Sequence, residues 1–447
     1  MARVALISLG CPKNLVDSEV MLGLLQEAGH EIVEEVEAAD VVIVNTCAFI
    51  EPAVEEALEA LLDTAELKAR ERGGPSIICA GCLTQRYGGD LQVELPEVDA
   101  FIGPDSLEEI ADVVARCADE GQLLVQAASP WIYSAKTPRL RTGREWLAYA
   151  KIADGCDHHC AYCMIPSIRG SFRSRSADDI RSEIDALIAD GVREICVIAQ
   201  DTSMWGSDLE DNLTLARLLR SLDLGDWDGW LRLQYLHPDG ITDDLLEAVA
   251  DVPQVVPYFD IPLQHASRDV LRSMGRRGDP VSYLSMIERT RGIIPDAALR
   301  TTFIVGYPGE TEEDFATLLT FIKEARFDRL SAFRYWDEPG TRAAELPDQV
   351  PEGEALDRLE ELMLTQAAIS LEINQERVGG AIRVLVERED EETGEMVGRS
   401  YRDAPDVDGE IAIEGKAMAP GQFVTVEITG ADEHDLRGVV AEGDGTG

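Results

Sequence analysis

Apolar residues fall in short runs along this chain, and the runs alternate with helix-length amphipathic stretches. Near the start, 3–10, 41–46, 76–82 and 100–103 read as strands, and 17–28 and 52–72 carry the three-to-four-residue spacing of helices. That alternation predicts a parallel sheet with helices on both faces, closed by a helix at 105–120. Residues 127–143 hold two prolines, few strand formers and several bases, and read as a linker. Beyond it, strands are predicted at 148–153, 194–200, 231–235, 258–261, 300–305 and 329–334, with helices such as 177–190 and 312–325 between them. Six βα units make a partial TIM-like barrel, since a full one has eight. A helix over 352–377 follows. The tail changes character: 381–387, 396–400, 410–413, 423–429 and 437–441 are short β-like runs separated by Gly, Asp and Pro, which read as a small β-barrel. The fold class is therefore α/β, with a parallel-sheet unit at 1–126, the linker, a partial barrel at 144–375 and the small barrel at 376–443.

Length and charge refine this outline. The 447 residues suit about three domains. No apolar run approaches the roughly 20 residues of a membrane span. The opening residues enter a strand without a signal-peptide pattern, so a cytoplasmic location without membrane partners is expected. With 85 acidic and 40 basic residues, the formal net charge is −45. Residues 1–140 carry 9 bases and 25 acids, and 371–447 carry 7 and 19, so neither end offers the Lys/Arg footprint that holds nucleic acid by its phosphates. The acidity reflects either a generally acidic proteome or a basic protein partner attracted by complementary charge.

Nine cysteines in such a chain point to metal binding or catalysis rather than disulfides. Cys156, Cys160 and Cys163 form a C-x₃-C-x₂-C run just beyond the first predicted barrel strand, and in such barrels catalytic groups lie at the C-terminal ends of strands. Three thiolates can hold three irons of a 4Fe–4S cluster and leave the fourth open. The alternative is a structural zinc site with His158 or His159 as fourth ligand. Cys11, Cys47 and Cys82 each fall at the end of a predicted N-terminal strand, where ligands of open α/β sheets bind. They read either as a second convergent set or as three unrelated core residues. Cys79, Cys117 and Cys196 read as core.

The C-x₃-C-x₂-C run resembles that of the radical S-adenosylmethionine enzymes. Its combination with Cys11, Cys47 and Cys82 resembles the methylthiotransferases among them, as do Ser8–Glu19, Asn45-Thr46-Cys47 and 81–87. The resemblance covers nearly the whole chain and includes a TRAM-like C-terminal barrel. One branch of that family modifies an adenosine beside the tRNA anticodon. The other, the RimO type, modifies an aspartate of small-subunit ribosomal protein twelve. Cys11-Pro12-Lys13-Asn14, 260–265 and 401–409 look like the protein-modifying branch. The acidic C-terminal barrel, a poor grip for tRNA, agrees with it.

The resemblance implies two 4Fe–4S clusters, one on each cysteine set, and S-adenosylmethionine both as radical source and as methyl donor. The radical would take hydrogen from an aspartate β-carbon, and the cluster on Cys11, Cys47 and Cys82 would deliver sulfur or a methylthio group. A basic ribosomal protein and an external electron donor are the implied partners, with no direct tRNA binding. Tyr162, Gln200, Asp201, Gln264, His265 and Arg173 are candidate cofactor-binding residues, although Tyr162 also fits barrel-mouth packing, Asp201 a helix cap and His265 an ordinary hydrogen-bonded role. Arg169 and Arg175 join Arg173 in a basic patch suited to a carboxylate, and 306–311 forms a Gly-rich turn. A tRNA methylthiotransferase is the first rival reading. A non-catalytic iron–sulfur electron carrier or zinc-stapled binding protein is the second.

Overall fold

The computed structural model describes residues 1–70, 74–117, 121–126, 131–210, 213–415 and 418–441. Its first unit is a six-stranded, wholly parallel sheet of β1 (Arg3–Ser8), β2 (Glu31–Ile32), β3 (Val41–Thr46), β4 (Ser76–Gly81), β5 (Ala100–Ile102) and β6 (Leu123–Val125), in the order β2-β1-β3-β4-β5-β6. Every residue of β3 is buried, as expected for a central parallel strand covered by helices on both faces. The edge strands β2 and β6 are too short to raise a period-two signal and were not anticipated. The first helix spans Pro12–Glu27, five residues longer at its start than the apolar spacing suggests. Proline suits a first helical turn, where its missing N–H loses nothing. The helix expected at 105–120 is a 3₁₀ turn, Pro104–Glu109, followed by Ile110–Arg116.

Residues 127–130 of the expected linker lie outside the described residues. The rest is a pinned strap. Tyr133 is buried with its hydroxyl 3.1 Å from Glu183, and Arg139 bridges Glu19 at 2.6 Å and Glu183 at 2.7 Å.

The second unit carries β7 (Leu147–Lys151), a small ribbon of β8 (Ala153–Asp154) and β9 (Arg173–Ser174), then β10 (Glu194–Ile198), β11 (Trp230–Leu233), β12 (Tyr258–Asp260), β13 (Ala298–Val305) and β14 (Arg329–Arg334). The six long strands are parallel and form two three-stranded sheets, β11-β10-β7 and β12-β13-β14, with an isolated parallel bridge between Leu231 and Val255 at the seam. Alternation along each strand divides its side chains. Ile195, Val197, Leu231, Leu233, Phe259 and Leu299 enter the large apolar core with the helices. Glu194, Arg232, Asp260 and Arg300 take the other face, among apolar neighbours such as Cys196, Trp230 and Tyr258.

The third unit is a closed barrel of β15 (Ala381–Glu389), β16 (Met396–Ser400), β17 (Ile411–Glu414), β18 (Phe423–Ala431) and β19 (Leu436–Val440), ordered β15-β16-β17-β19-β18 around its own apolar core. It docks on the strand starts of the second unit through an apolar patch, where Trp230 and Tyr258 meet Leu385 and Ala404, and through buried ion pairs. Glu194 accepts from Arg232 at 2.6 Å and from Arg399 at 2.7 Å, Arg329 holds Asp403, and Arg300 reaches Asp408 at 3.2 Å. Part of the acidity of the C-terminal segment is therefore turned inward. No helix among the described residues is long and apolar enough to cross a membrane.

Candidate active site

The C-terminal ends of β1, β3 and β4 face the loop that follows β8, and a cavity of about 360 Å³ lies between them. All six predicted cysteines line it: Cys11, Cys47 and Cys82 from the first unit, Cys156, Cys160 and Cys163 from the second. Cys79, Cys117 and Cys196 are buried elsewhere, as core residues.

Local chemistry explains how three loops of the first unit converge. Asn14 donates from Nδ2 to the carbonyls of Leu9 at 3.1 Å and Thr46 at 2.9 Å, while Asn45 donates to the Asn14 carbonyl and to Ser18. Gly10 has φ +87°, and a Cβ there would stand 2.6 Å from that of Cys47, so only glycine allows this approach. Gly81 is equally constrained: at φ +91°, its Cβ would lie 2.4 Å from Asn45 Oδ1.

The second set is held from behind. His158, inside the cysteine loop, hydrogen-bonds Asp201 through Nε2 at 2.7 Å and stacks on His237 with centroids 4.2 Å apart and planes 13° apart. The other Asp201 oxygen accepts from the Ser203 amide at 3.0 Å, capping a short 3₁₀ turn. Asp201 is thus both a cap and a clamp on the cysteine loop. His158, Asp201 and His237 are also the set of ligand atoms, among the described residues, that lie within 4.8 Å of one another. Parallel rings aim their in-plane lone pairs side by side rather than at one point. The cysteine sulfurs of each set stand wider than one tetrahedral zinc, at about 2.3 Å from each sulfur, would bring them.

Burial pushes the thiols up: Cys47 and Cys163 to about 12, Cys156 to about 11. Two arginines oppose this. Arg169 stands 3.4 Å from the Cys82 sulfur and Arg276 stands 3.9 Å from that of Cys160. A thiol-binding metal group would displace the protons and give those cations a negative partner. The fit of donors to iron–sulfur groups is therefore good: three soft sulfur ligands on each wall, with a positive charge beside each set.

Of the other predicted residues, Tyr162, Gln200, Asp201 and Gln264 line the cavity. Gln200 donates to Asp154 at 2.7 Å, which leaves its buried Oε1 without a partner. His265 does not line the cavity. It is fully buried, and its Nδ1 accepts from the Ser267 amide at 2.9 Å. Arg173 does not line it either, because its guanidinium is held by Asp105 at 3.0 Å and by the Arg169 and Ser171 carbonyls. Arg175 is likewise engaged, bonded to Glu183 and to Asp179 at 2.6 Å in the strap region. The three arginines do not form a free anion patch. The 306–311 turn serves as a tight βα connection, with Thr311 in a capping box on the helix Glu312–Ala325.

Sequence reasoning missed Lys13, Tyr235, His237 and Arg276 as cavity residues. Tyr235 and Gln264 both have positive φ, +61° and +72°. Strained non-glycine backbone of this kind gathers at functional sites, but no spacing rule announces it.

Comparison with known proteins agrees with this layout. Residues 3–103 match the uncharacterized protein family UPF0004, 151–322 the radical SAM superfamily and 378–441 the TRAM domain. Among solved structures, the radical S-adenosylmethionine methyltransferase TsrM from Kitasatospora setae shares the fold, with a TM-score of 0.55 at 13% identity over 87% of this chain and 79% of that one. The cobalamin-dependent S-adenosylmethionine radical enzyme OxsB follows at 0.51, 11% identical over 81% of this chain and 56% of that one. The ribosomal protein uS12 methylthiotransferase RimO of Pelotomaculum thermopropionicum is 46% identical over 98% of both chains. The RimO of Microcystis aeruginosa is 44% identical over the same shares. With its cysteines gathered at one cavity and this identity across essentially its full length, the chain belongs to the RimO family of radical S-adenosylmethionine methylthiotransferases.

Proposed function

We propose that this enzyme methylthiolates the β-carbon of an aspartate in ribosomal protein uS12. In this reading Cys11, Cys47 and Cys82 hold one 4Fe–4S cluster and Cys156, Cys160 and Cys163 hold another. The observation that carries it is the shared cavity, which both cysteine sets line. When bound, the clusters and S-adenosylmethionine supply one-electron cleavage of the sulfonium, a sulfur for transfer and the methyl group.

The chain's own residues bind, orient and enclose. Arg276 and Arg169 offset negative charge at Cys160 and Cys82. Gln200 offers its free Oε1 to S-adenosylmethionine, and Tyr162 and Gln264 present an aromatic face and an amide to the same space. Asp201, through His158, fixes the loop on which the second cluster depends. Apolar walls such as Phe49, Ile165 and Ile168 exclude water, which would quench reactive species. The electron comes from an external donor.

Charge supports the protein substrate. A ribosomal protein is basic and the chain carries −45. The inward-facing Asp403 and Asp408 contribute nothing to that attraction, so it falls to the exposed acids.

One anaerobic competition tests this. Reconstituted, reduced enzyme with S-adenosylmethionine and sulfide meets uS12 and an unmodified tRNA pool in one tube, and mass spectrometry follows the methylthio increment on each. Modified aspartate with untouched tRNA is the expected result. Modified adenosine would replace this reading with the tRNA one.

A further inference from the structure

Three lysine and arginine side chains line the cavity: Lys13, Arg169 and Arg276. Arg169 is saturated by Asp17, Asp154 and Asn14. Arg276 donates to the Pro262 carbonyl at 2.9 Å and points its other arm at Cys160. Lys13 differs. It is only 9% exposed, yet among the described residues its ammonium has no hydrogen-bond acceptor and no ion-pair partner. It rests on the face of Tyr235, with Nζ 3.0 Å from the ring centroid. An aromatic face attracts a cation but accepts none of its N–H groups in the ordinary way, so up to three donors stay open. Burying an ammonium in that condition is unfavourable unless something arrives to complete it.

The place is built. Tyr235 adopts its strained backbone with its amide donating to Asp260 at 3.1 Å, which fixes the ring under Lys13. A second groove, about 410 Å³, meets the cavity at Cys11 and Tyr235. All three units wall it: Ser8 and Pro12 from the first, Asp260 and Arg300 from the second, Asp406 and Val407 from the third. A polypeptide segment lying there would reach the cavity at the ring that carries Lys13.

Resting on the reading of an aspartyl substrate given above, we propose that Lys13 is the receptor for the substrate's side-chain carboxylate. Charge-assisted hydrogen bonds from the ammonium hold the carboxylate, and the β-carbon is one bond away from it, so anchoring the acid places the reacting carbon. The same ammonium sets specificity. A neutral amide or a purine would leave the buried charge unpaired, and sites built around an unmade polar contact reject such analogues strongly.

The test uses the full-length reconstituted enzyme and two forms of uS12: the natural one, and one in which the aspartate that carries the methylthio group is asparagine. Dissociation constants are measured anaerobically, and KM is measured for the natural substrate. Wild-type enzyme is expected to bind the aspartate form roughly 10- to 100-fold tighter than the asparagine form. Lys13→Met is expected to bind both forms equally weakly and to raise KM by a similar factor. Lys13→Arg, which keeps the charge, is expected to recover most of the preference. The electron paramagnetic resonance signals of the clusters in Lys13→Met show whether the cavity has kept its fold. If Lys13→Met still prefers aspartate, the proposal is overturned, and a changed signal or potential of the cluster on Cys11 would then assign Lys13 to charge balance at the sulfurs. Wild-type enzyme that modifies uS12 without preferring aspartate in binding overturns this proposal alone. Wild-type enzyme that neither binds nor modifies uS12 overturns the proposed function, and this proposal with it.

Discussion

Arg169 donates to Asp17 at 2.6 Å and stands 3.4 Å from the sulfur of Cys82. It belongs to the short helix Ile165–Arg169, just after the C-x₃-C-x₂-C loop, and both its partners lie in the first unit. One side chain therefore fastens the two walls of the cavity together. Lys151 and Asp154 complete a fully buried charge cluster around it. Removing one member of such a cluster strands the others, at a cost of about 3–5 kcal/mol. Arg169→Leu is expected to lower the melting temperature clearly and to reduce the iron retained after reconstitution. A wild-type melting curve with full iron content would show that the cluster holds nothing together.

Glu194 makes the corresponding joint between the second unit and the C-terminal barrel. Its carboxylate is fully buried between Arg232 and Arg399, and Arg399 also binds Glu387 at 2.7 Å. Glu194→Ala leaves two buried guanidinium groups short of a partner, again at about 3–5 kcal/mol. Calorimetry is expected to show the C-terminal barrel melting separately and earlier than in the parent. A single unshifted transition would contradict this.

The strap offers a third test. Arg139 is the cation between Glu19 and Glu183, and the Thr142 amide also donates to Glu19 at 2.8 Å. Arg139→Ala is expected to open 131–143 to limited proteolysis and to destabilise the protein by about 3 kcal/mol. Equal protection from protease in variant and parent would count against the strap.

His265 predicts an acid sensitivity. Burial pushes its imidazole down to about 3 from an ordinary 6.5, with nearby Arg358 acting in the same direction and Asp314 opposing. The folded state therefore favours the neutral ring. Its contribution to stability is complete above pH 6.5 and is lost as pH falls from there towards 3. Between pH 7.5 and pH 5.5 the loss is about 1.4 kcal/mol. Chemical denaturation at the two pH values should show a steeper fall for the parent than for His265→Gln. Identical slopes would mean that the ring is charged in the folded protein.

Much of this was legible beforehand because it rests on local pattern. The three-unit α/β organisation, the six barrel strands and the five of the small barrel follow from apolar periodicity, and the two cysteine sets follow from spacing and strand ends. What escaped depends on three-dimensional pairing. Arg173 and Arg175 lie near the cysteines in sequence, but Asp105 and Glu183, brought from elsewhere, occupy them. The Tyr401–Gly409 stretch reads as wording of the protein-modifying branch, but nothing in one dimension shows that its Asp403 and Asp408 are buried against Arg329 and Arg300. Lys13 sat in full view within Cys11-Pro12-Lys13-Asn14, yet nothing in one dimension tells an unpartnered lysine from a paired one.

The two three-stranded sheets of the second unit have a size consequence. Eight strands would close a cylinder whose interior is filled by side chains and whose ligands bind only at the loops of one end. Six strands in the order seen here leave an arc of the wall unbuilt. The groove at the face of these strands that carries Asp260 and Arg300 is flanked by Ser8 and Pro12 on one side and by Pro405 and Val407 on the other. The width of that aperture is thus set by two separately folded neighbours rather than by the barrel itself. A longer turn at Pro405 or a shifted first unit would change the width of that groove while leaving every cysteine in place.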